Sequence, residues 1–142
     1  WDAITKDNYT MQKFSERIRQ DLNFMDYVPI LYISAKTGQR VDQVMPLALK
    51  VQEERLARIN TGALNRILQK AQDVHAPTSR TGSSIKLLYG TQVRSDPPTF
   101  MIYCNNPKLA HFTYLRFLEN QIRQEYPFTG TPIRLVLKPR HE

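Results

Sequence analysis

One nine-residue run, Thr99-Phe100-Met101-Ile102-Tyr103-Cys104-Asn105-Asn106-Pro107, limits the folds open to this chain. Six β-forming residues run into a polar corner where Asn can cap and Pro can open a helix. The expected helix continues to about Glu125, with Phe112, Leu115, Leu118 and Ile122 facing a sheet and Tyr114 and Phe117 widening that stripe. Ser84–Arg94 alternates as a preceding strand, with Ile85, Leu87, Tyr89 and Thr91 on one side, joined to the run by the Ser95-Asp96-Pro97-Pro98 turn. Ile133–Leu137 supplies a third strand. The run therefore sits at the centre of a sheet. It pairs antiparallel with the strand before it and, after a right-handed crossover, parallel with the strand after it.

Upstream, Asn60 or Thr61 can cap a helix over Gly62–Asp73 with Leu64, Ile67, Leu68 and Ala71 on one face. The loop composition of residues 76–83 separates it from the first strand. Residues 61–142 then read α-β-β-α-β, a two-layer α+β domain with both helices on one sheet face. Residues 1–60 read differently. A helix over Thr5–Leu22 carries Met11, Phe14, Ile18 and Leu22, with Thr5 or Asn8 to cap it. Tyr27–Ile33 is an apolar run expected as a buried strand. Val41–Ile59 is a helix with Val44, Leu47, Ala48 and Val51 inward and Pro46 in its first turn. One strand between two helices cannot close a parallel sheet, so residues 1–60 are expected to be the tail of a larger α/β domain.

The 142 residues carry a formal charge of +7. Residues 1–60 hold 9 Lys/Arg against 8 Asp/Glu, and residues 61–142 hold 11 against 5. A basic second half suits nucleic acid, an acidic protein surface, or a merely solvated face. Cys104 is the only cysteine, which excludes an internal disulfide and a four-cysteine zinc site, and fits a reducing compartment. On its strand it is expected to be a small buried hydrophobe. His75, His111 and His141 have no metal-ligand spacing, and no metal is expected. No secretory leader or run of 18 apolar residues occurs, so neither secretion nor a membrane partner is expected.

Two short motifs carry a resemblance. Trp1-Asp2 resembles the end of the Asn-Lys-x-Asp motif of P-loop GTPases, and Ser34-Ala35-Lys36 resembles their Ser-Ala-Lys motif, placed after the expected strand. The resemblance implies that the Asp2 carboxylate faces guanine N1 and the exocyclic amine, and that the Ala35 N–H meets O6, with Ser34 and Lys36 supporting the loop. The C-terminal pattern resembles the K-homology (KH) fold. More closely, the chain is similar to the C-terminal part of the bacterial double-G-domain GTPases, the Der or EngA family. The matching runs are Ile33–Val41, Thr91-Gln92, Pro97–Phe100, Leu118–Arg123 and Phe128–Arg134, in order along most of the chain.

That resemblance implies the end of a second G domain in residues 1–60 and a KH-like domain in residues 61–142. It implies GTP or GDP and Mg²⁺ in a longer protein, but none bound to this chain, which holds no Walker A loop and is expected to have no catalysis of its own. The partners it implies are G domains of the same polypeptide and the large ribosomal subunit with its rRNA, in the cytoplasm and without DNA. Lys108, Arg116, Arg123, Arg134, Lys138 and Arg140 could touch rRNA phosphate or a G domain, or be solvated charge. The glycines at 38, 62, 82, 90 and 130 make no Gly-x-x-Gly loop, so the usual KH backbone clamp is not expected. Two alternatives remain: an autonomous RNA-binding KH-type module, and a purely structural interface domain.

Overall fold

In the computed structural model, which describes residues 1–5, 9–75 and 82–140, the chain divides into two compact units. One comprises Trp1–Glu54 with Thr129–Thr131, the other Arg55–Phe128 with Pro132–Glu142.

The first unit contains helix α1 (Thr10–Asp21) and almost all of helix α2 (Val44–Leu56). Helix α1 begins later than the sequence predicts. Tyr9 is its N-cap and makes no side-chain cap bond, and Asn8 lies outside the described residues. No residue of either helix is fully buried, so the Met11–Phe14–Ile18–Leu22 and Val44–Leu47–Ala48–Val51 stripes are only partly covered. The expected strand at Tyr27–Ile33 is a turn at Tyr27 followed by chain without regular structure, not strand, because no ladder partner lies beside it among the described residues. A hydrophobic run favours burial, but a strand exists only through its neighbour's hydrogen bonds.

The second unit is the α+β fold read from the sequence. Helix α3 (Thr61–Val74) is capped by Asn60, whose Oδ1 accepts from Ala63 N at 2.8 Å. It buries Ala63, Leu64, Ile67, Leu68 and Ala71. Strands β1 (Leu87–Arg94), β2 (Thr99–Cys104) and β3 (Arg134–Pro139) form one sheet in the order β1-β2-β3. β1 runs antiparallel and β3 parallel to the central β2. Helix α4 (Phe112–Glu125) makes the crossover and buries Tyr114, Leu118 and Ile122. These residues join Phe100, Ile102, Cys104, Phe128 and the α3 stripe in one core.

Three local expectations change. The polar corner does not start α4. Asn106 instead caps a 3₁₀ turn, Pro107–Leu109, accepting from Lys108 N at 3.1 Å, and α4 follows with His111 as its N-cap. Phe112, expected in the core, sits in the first turn of α4 and is 73% exposed. The inward phase of β1 also flips. A register irregularity between Leu87 and Tyr89 leaves Leu87, Gly90 and Gln92 buried and turns Tyr89 outward. An inserted residue moves every later side chain to the other face.

Gly90 shows why the new phase works. A Cβ there would come within 2.8 Å of Leu68 Cδ1, so the missing side chain lets α3 lie close on the strand. Two amides of α3 then hold the β1 backbone. Asn65 accepts from Gly90 N at 2.8 Å and donates to Gly90 O at 3.1 Å, and Gln72 does the same at Leu87 at 3.0 and 2.9 Å. Side chains thus satisfy backbone groups that β2 does not reach.

Tyr114 is the core's weak point. It is 3% exposed, with its ring beside Phe117 and His75, yet its hydroxyl has no hydrogen-bond partner among the described residues. Burial, with a smaller contribution from Cys104, pushes its pKa up to about 12. The unfolded phenol ionises near ~10. This contribution to stability is therefore complete below ~pH 10 and is lost as pH rises toward ~12. Tyr114→Phe is expected to raise stability by about 1 kcal/mol and to flatten the loss above ~pH 10, read from urea midpoints across that range.

Candidate functional site

Within the first unit the two motif fragments come together. Ser34 is fully buried and its Oγ donates to Asp2 Oδ1, although the residues are 32 apart in sequence. Ser34 Oγ also accepts from Thr37 N at 3.1 Å. Ser34 N donates to Gln39 O at 3.0 Å and Gly38 N to Ser34 O at 2.8 Å, closing the turn with Gly38 at φ +78°. A glycine suits that left-handed position.

Trp1, the neighbour of Asp2 in sequence, is itself anchored. The Trp1 ring centroid lies 4.5 Å from that of Tyr32 and 6.1 Å from that of Phe14, and Trp1 N donates to Ile33 O at 2.7 Å. Tyr32 is tied to α1 through Ser15 Oγ at 2.9 Å. The result is a buried hydroxyl orienting a partly exposed carboxylate, beside a turn whose Ala35 and Lys36 are exposed. A carboxylate acceptor next to an exposed backbone turn fits the edge of a guanine base, with its paired N–H donors and its carbonyl. These four residues could hold the base.

The basic residues do not form one cluster. Lys108 is exposed in the 3₁₀ turn, Arg116 is exposed on α4, and Arg134, Lys138 and Arg140 are exposed on or just after β3. Arg123 is different: its side chain is only 11% exposed. It pairs with Glu119 at 3.1 Å and donates to Pro127 O at 2.9 Å and Phe128 O at 3.2 Å. Phe128 has φ +47°, an unfavourable value for a bulky residue, so Arg123 helps hold a strained turn.

Sequence reasoning missed the role of Gln92. It is 6% exposed and its amide joins three backbone groups: Ile59 N at 2.7 Å, Ala57 O at 3.1 Å and Arg94 O at 3.2 Å. Arg55 adds an ion pair to Asp96, and Asp96 N donates to Arg55 O at 3.2 Å. The segment entering α3 is thereby fastened to β1. The available signal was a polar residue on the side of the strand that carries Gly90, but reading it needed the irregularity at Leu87–Tyr89. No helix of the described residues is long and apolar enough to cross a membrane.

The sequence matches the family described as KH-domain-like of EngA bacterial GTPase enzymes, C-terminal, over residues 58–138. GTPase Der of Caldanaerobacter subterraneus subsp. tengcongensis is 49% identical over 142 residues, covering all of this chain and 32% of the relative. GTPase Der of Moorella thermoacetica is 46% identical with the same coverage, and that of Leuconostoc citreum is 44% identical over 140 residues, 99% of this chain and 32% of the relative. The chain thus spans about a third of the length of these curated relatives. An α-β-β-α-β domain without a Gly-x-x-Gly clamp, matched over most of its length, belongs to the C-terminal KH-like domain family of the EngA bacterial GTPases.

Proposed function

We propose that this chain is the C-terminal part of a GTP-binding ribosome-assembly GTPase. Residues 1–60 supply the guanine-facing end of a G domain, and residues 61–142 are a KH-like domain that docks on G domains of the same polypeptide and on rRNA of the large subunit. The observation that carries the reading is the hydrogen bond from buried Ser34 to Asp2. It brings together two fragments that mean little apart. Asp2 would accept from the base, Ala35 N–H would donate to its carbonyl, and Ser34 and Lys36 would hold the turn. GTP or GDP with Mg²⁺ would be completed by the longer protein, which works in the cytoplasm on large-subunit maturation. Its phosphate chemistry belongs to residues outside this chain.

The test uses the longer protein. Asp2→Ala removes the charged acceptor and is expected to weaken guanine nucleotide at this site by about 100-fold, the scale of two charge-assisted hydrogen bonds. Fluorescent-GDP titration reads it, and unchanged affinity overturns the guanine assignment. Co-sedimentation with large ribosomal subunits tests the docking half, and a protein that never sediments with them overturns it.

A further inference from the structure

Helices α3 and α4 pack on one side of the sheet, and the other side has its own chemistry. On β2, Thr99, Met101 and Tyr103 alternate with buried Phe100, Ile102 and Cys104. Strand pairing carries that alternation sideways into three rows: Arg94–Thr99–Arg134, Thr91–Met101–Val136 and Tyr89–Tyr103–Lys138. The Tyr89 and Tyr103 rings stack with centroids 4.6 Å apart and planes 19° apart, and Tyr89 is 50% exposed. Arg94, Arg134 and Lys138 are exposed, and none of the three strands contains an Asp or Glu. The face is therefore cationic along its ends and side, with an aromatic pair at one corner.

We propose that this face binds single-stranded RNA, a base stacking on the Tyr89–Tyr103 pair while Lys138, Arg134 and Arg94 seat the phosphates. The proposal rests on the reading of this domain as an rRNA-docking unit and adds the face, the residues and the strandedness. Its first support is charge. Three cations with no carboxylate on the same strands complement a polyanion. Its second is the aromatic pair. An unpaired base offers a π-face that a ring can cover, whereas in a duplex those faces are already stacked on neighbouring bases. An acidic protein would use the cations but has no such call on a half-exposed tyrosine stack. Along β3, Arg134 and Lys138 stand about 13 Å apart, so the phosphates they hold are separate ones.

The experiment is fluorescence anisotropy of the 142-residue chain with a labelled twelve-nucleotide oligouridylate (of about 12 nucleotides), an RNA duplex of equal length and polyglutamate as competitor. The single strand is expected to bind more tightly than the duplex. Tyr89→Leu, a surface change, is expected to weaken it about tenfold with an unchanged salt slope, while Tyr89→Phe restores binding. The double variant Arg134→Gln, Lys138→Gln is expected to lower the log–log salt slope by about 1.4, near 0.7 per phosphate contact. RNA binding that Tyr89→Leu leaves intact overturns this face while leaving rRNA docking in place. Preferential displacement by polyglutamate, with Tyr89→Leu neutral, overturns it in favour of an acidic protein. Absence of RNA binding by the chain, while the longer protein still sediments with large subunits, also overturns it. Failure of that sedimentation is the separate result that removes the docking reading.

Discussion

Phe100→Ala is expected to bring the unit built on residues 55–128 close to unfolding at room temperature. Phe100 is fully buried on the central strand, flanked by Gln92 on β1 and Leu135 on β3. Its ring meets that of Phe128 at 6.0 Å in a T-shaped contact. Truncating a buried Phe costs about 3–5 kcal/mol through lost transfer energy and the cavity left behind. A domain of this size has roughly 4–12 kcal/mol in total. The loss is compounded at Phe128, whose left-handed backbone is held partly by this ring contact and partly by Arg123. Urea unfolding followed by circular dichroism checks it. Phe112→Ala is the control: at 73% exposure it should move stability by no more than about 0.5 kcal/mol. Equal midpoints for the two variants would show that Phe100 is not the centre of the core.

The contrast between these two phenylalanines shows what the sequence makes legible. The strand over Thr99–Cys104 and a buried Cys104 were legible in the sequence, and the structure has both, with Phe100 and Ile102 buried on the same side of the strand. The 3.6-residue period likewise found Leu64, Ile67, Leu68 and Ala71 on α3. Phe112 was misplaced because α4 starts five residues after Pro107, which makes Phe112 its first residue, ahead of the buried Tyr114, Leu118 and Ile122. Tyr27–Ile33 was misread because strand formation depends on a partner, which composition does not reveal. The phase of β1 turned on one irregularity, and with it went the Tyr89–Tyr103 pair, which lies on opposite strands and is adjacent only once the register is known. At the candidate guanine corner, motif spelling found Asp2 and Ser34, but their hydrogen bond across 32 residues is a product of folding. Arg123 could be seen as a cation but not as one engaged by Glu119, Pro127 and Phe128.

Gln92→Leu is the second large effect, and it separates packing from hydrogen bonding. Leucine nearly fills the space and suits a core-facing strand position, so on hydrophobicity alone the change should stabilise. It is instead expected to cost about 2–4 kcal/mol. The Ile59 N–H, on a residue only 4% exposed, loses its acceptor, and the Ala57 and Arg94 carbonyls lose a donor. Leaving a buried backbone group unpaired costs about 1–3 kcal/mol, more than one leucine returns by covering the same area. Gln92→Glu sharpens the test. It keeps an acceptor for Ile59 N–H but turns a carboxylate toward two carbonyl oxygens, so it should be as damaging as leucine at neutral pH. As pH falls and the carboxyl takes up a proton, a donor returns and the deficit should shrink, whereas the leucine variant has no such recovery. Urea midpoints at neutral and acidic pH, with hydrogen exchange at the Ile59 amide, read both arms. A leucine variant as stable as the parent, with Ile59 still protected, would mean that packing rather than the amide fastens residues 57–59 to β1.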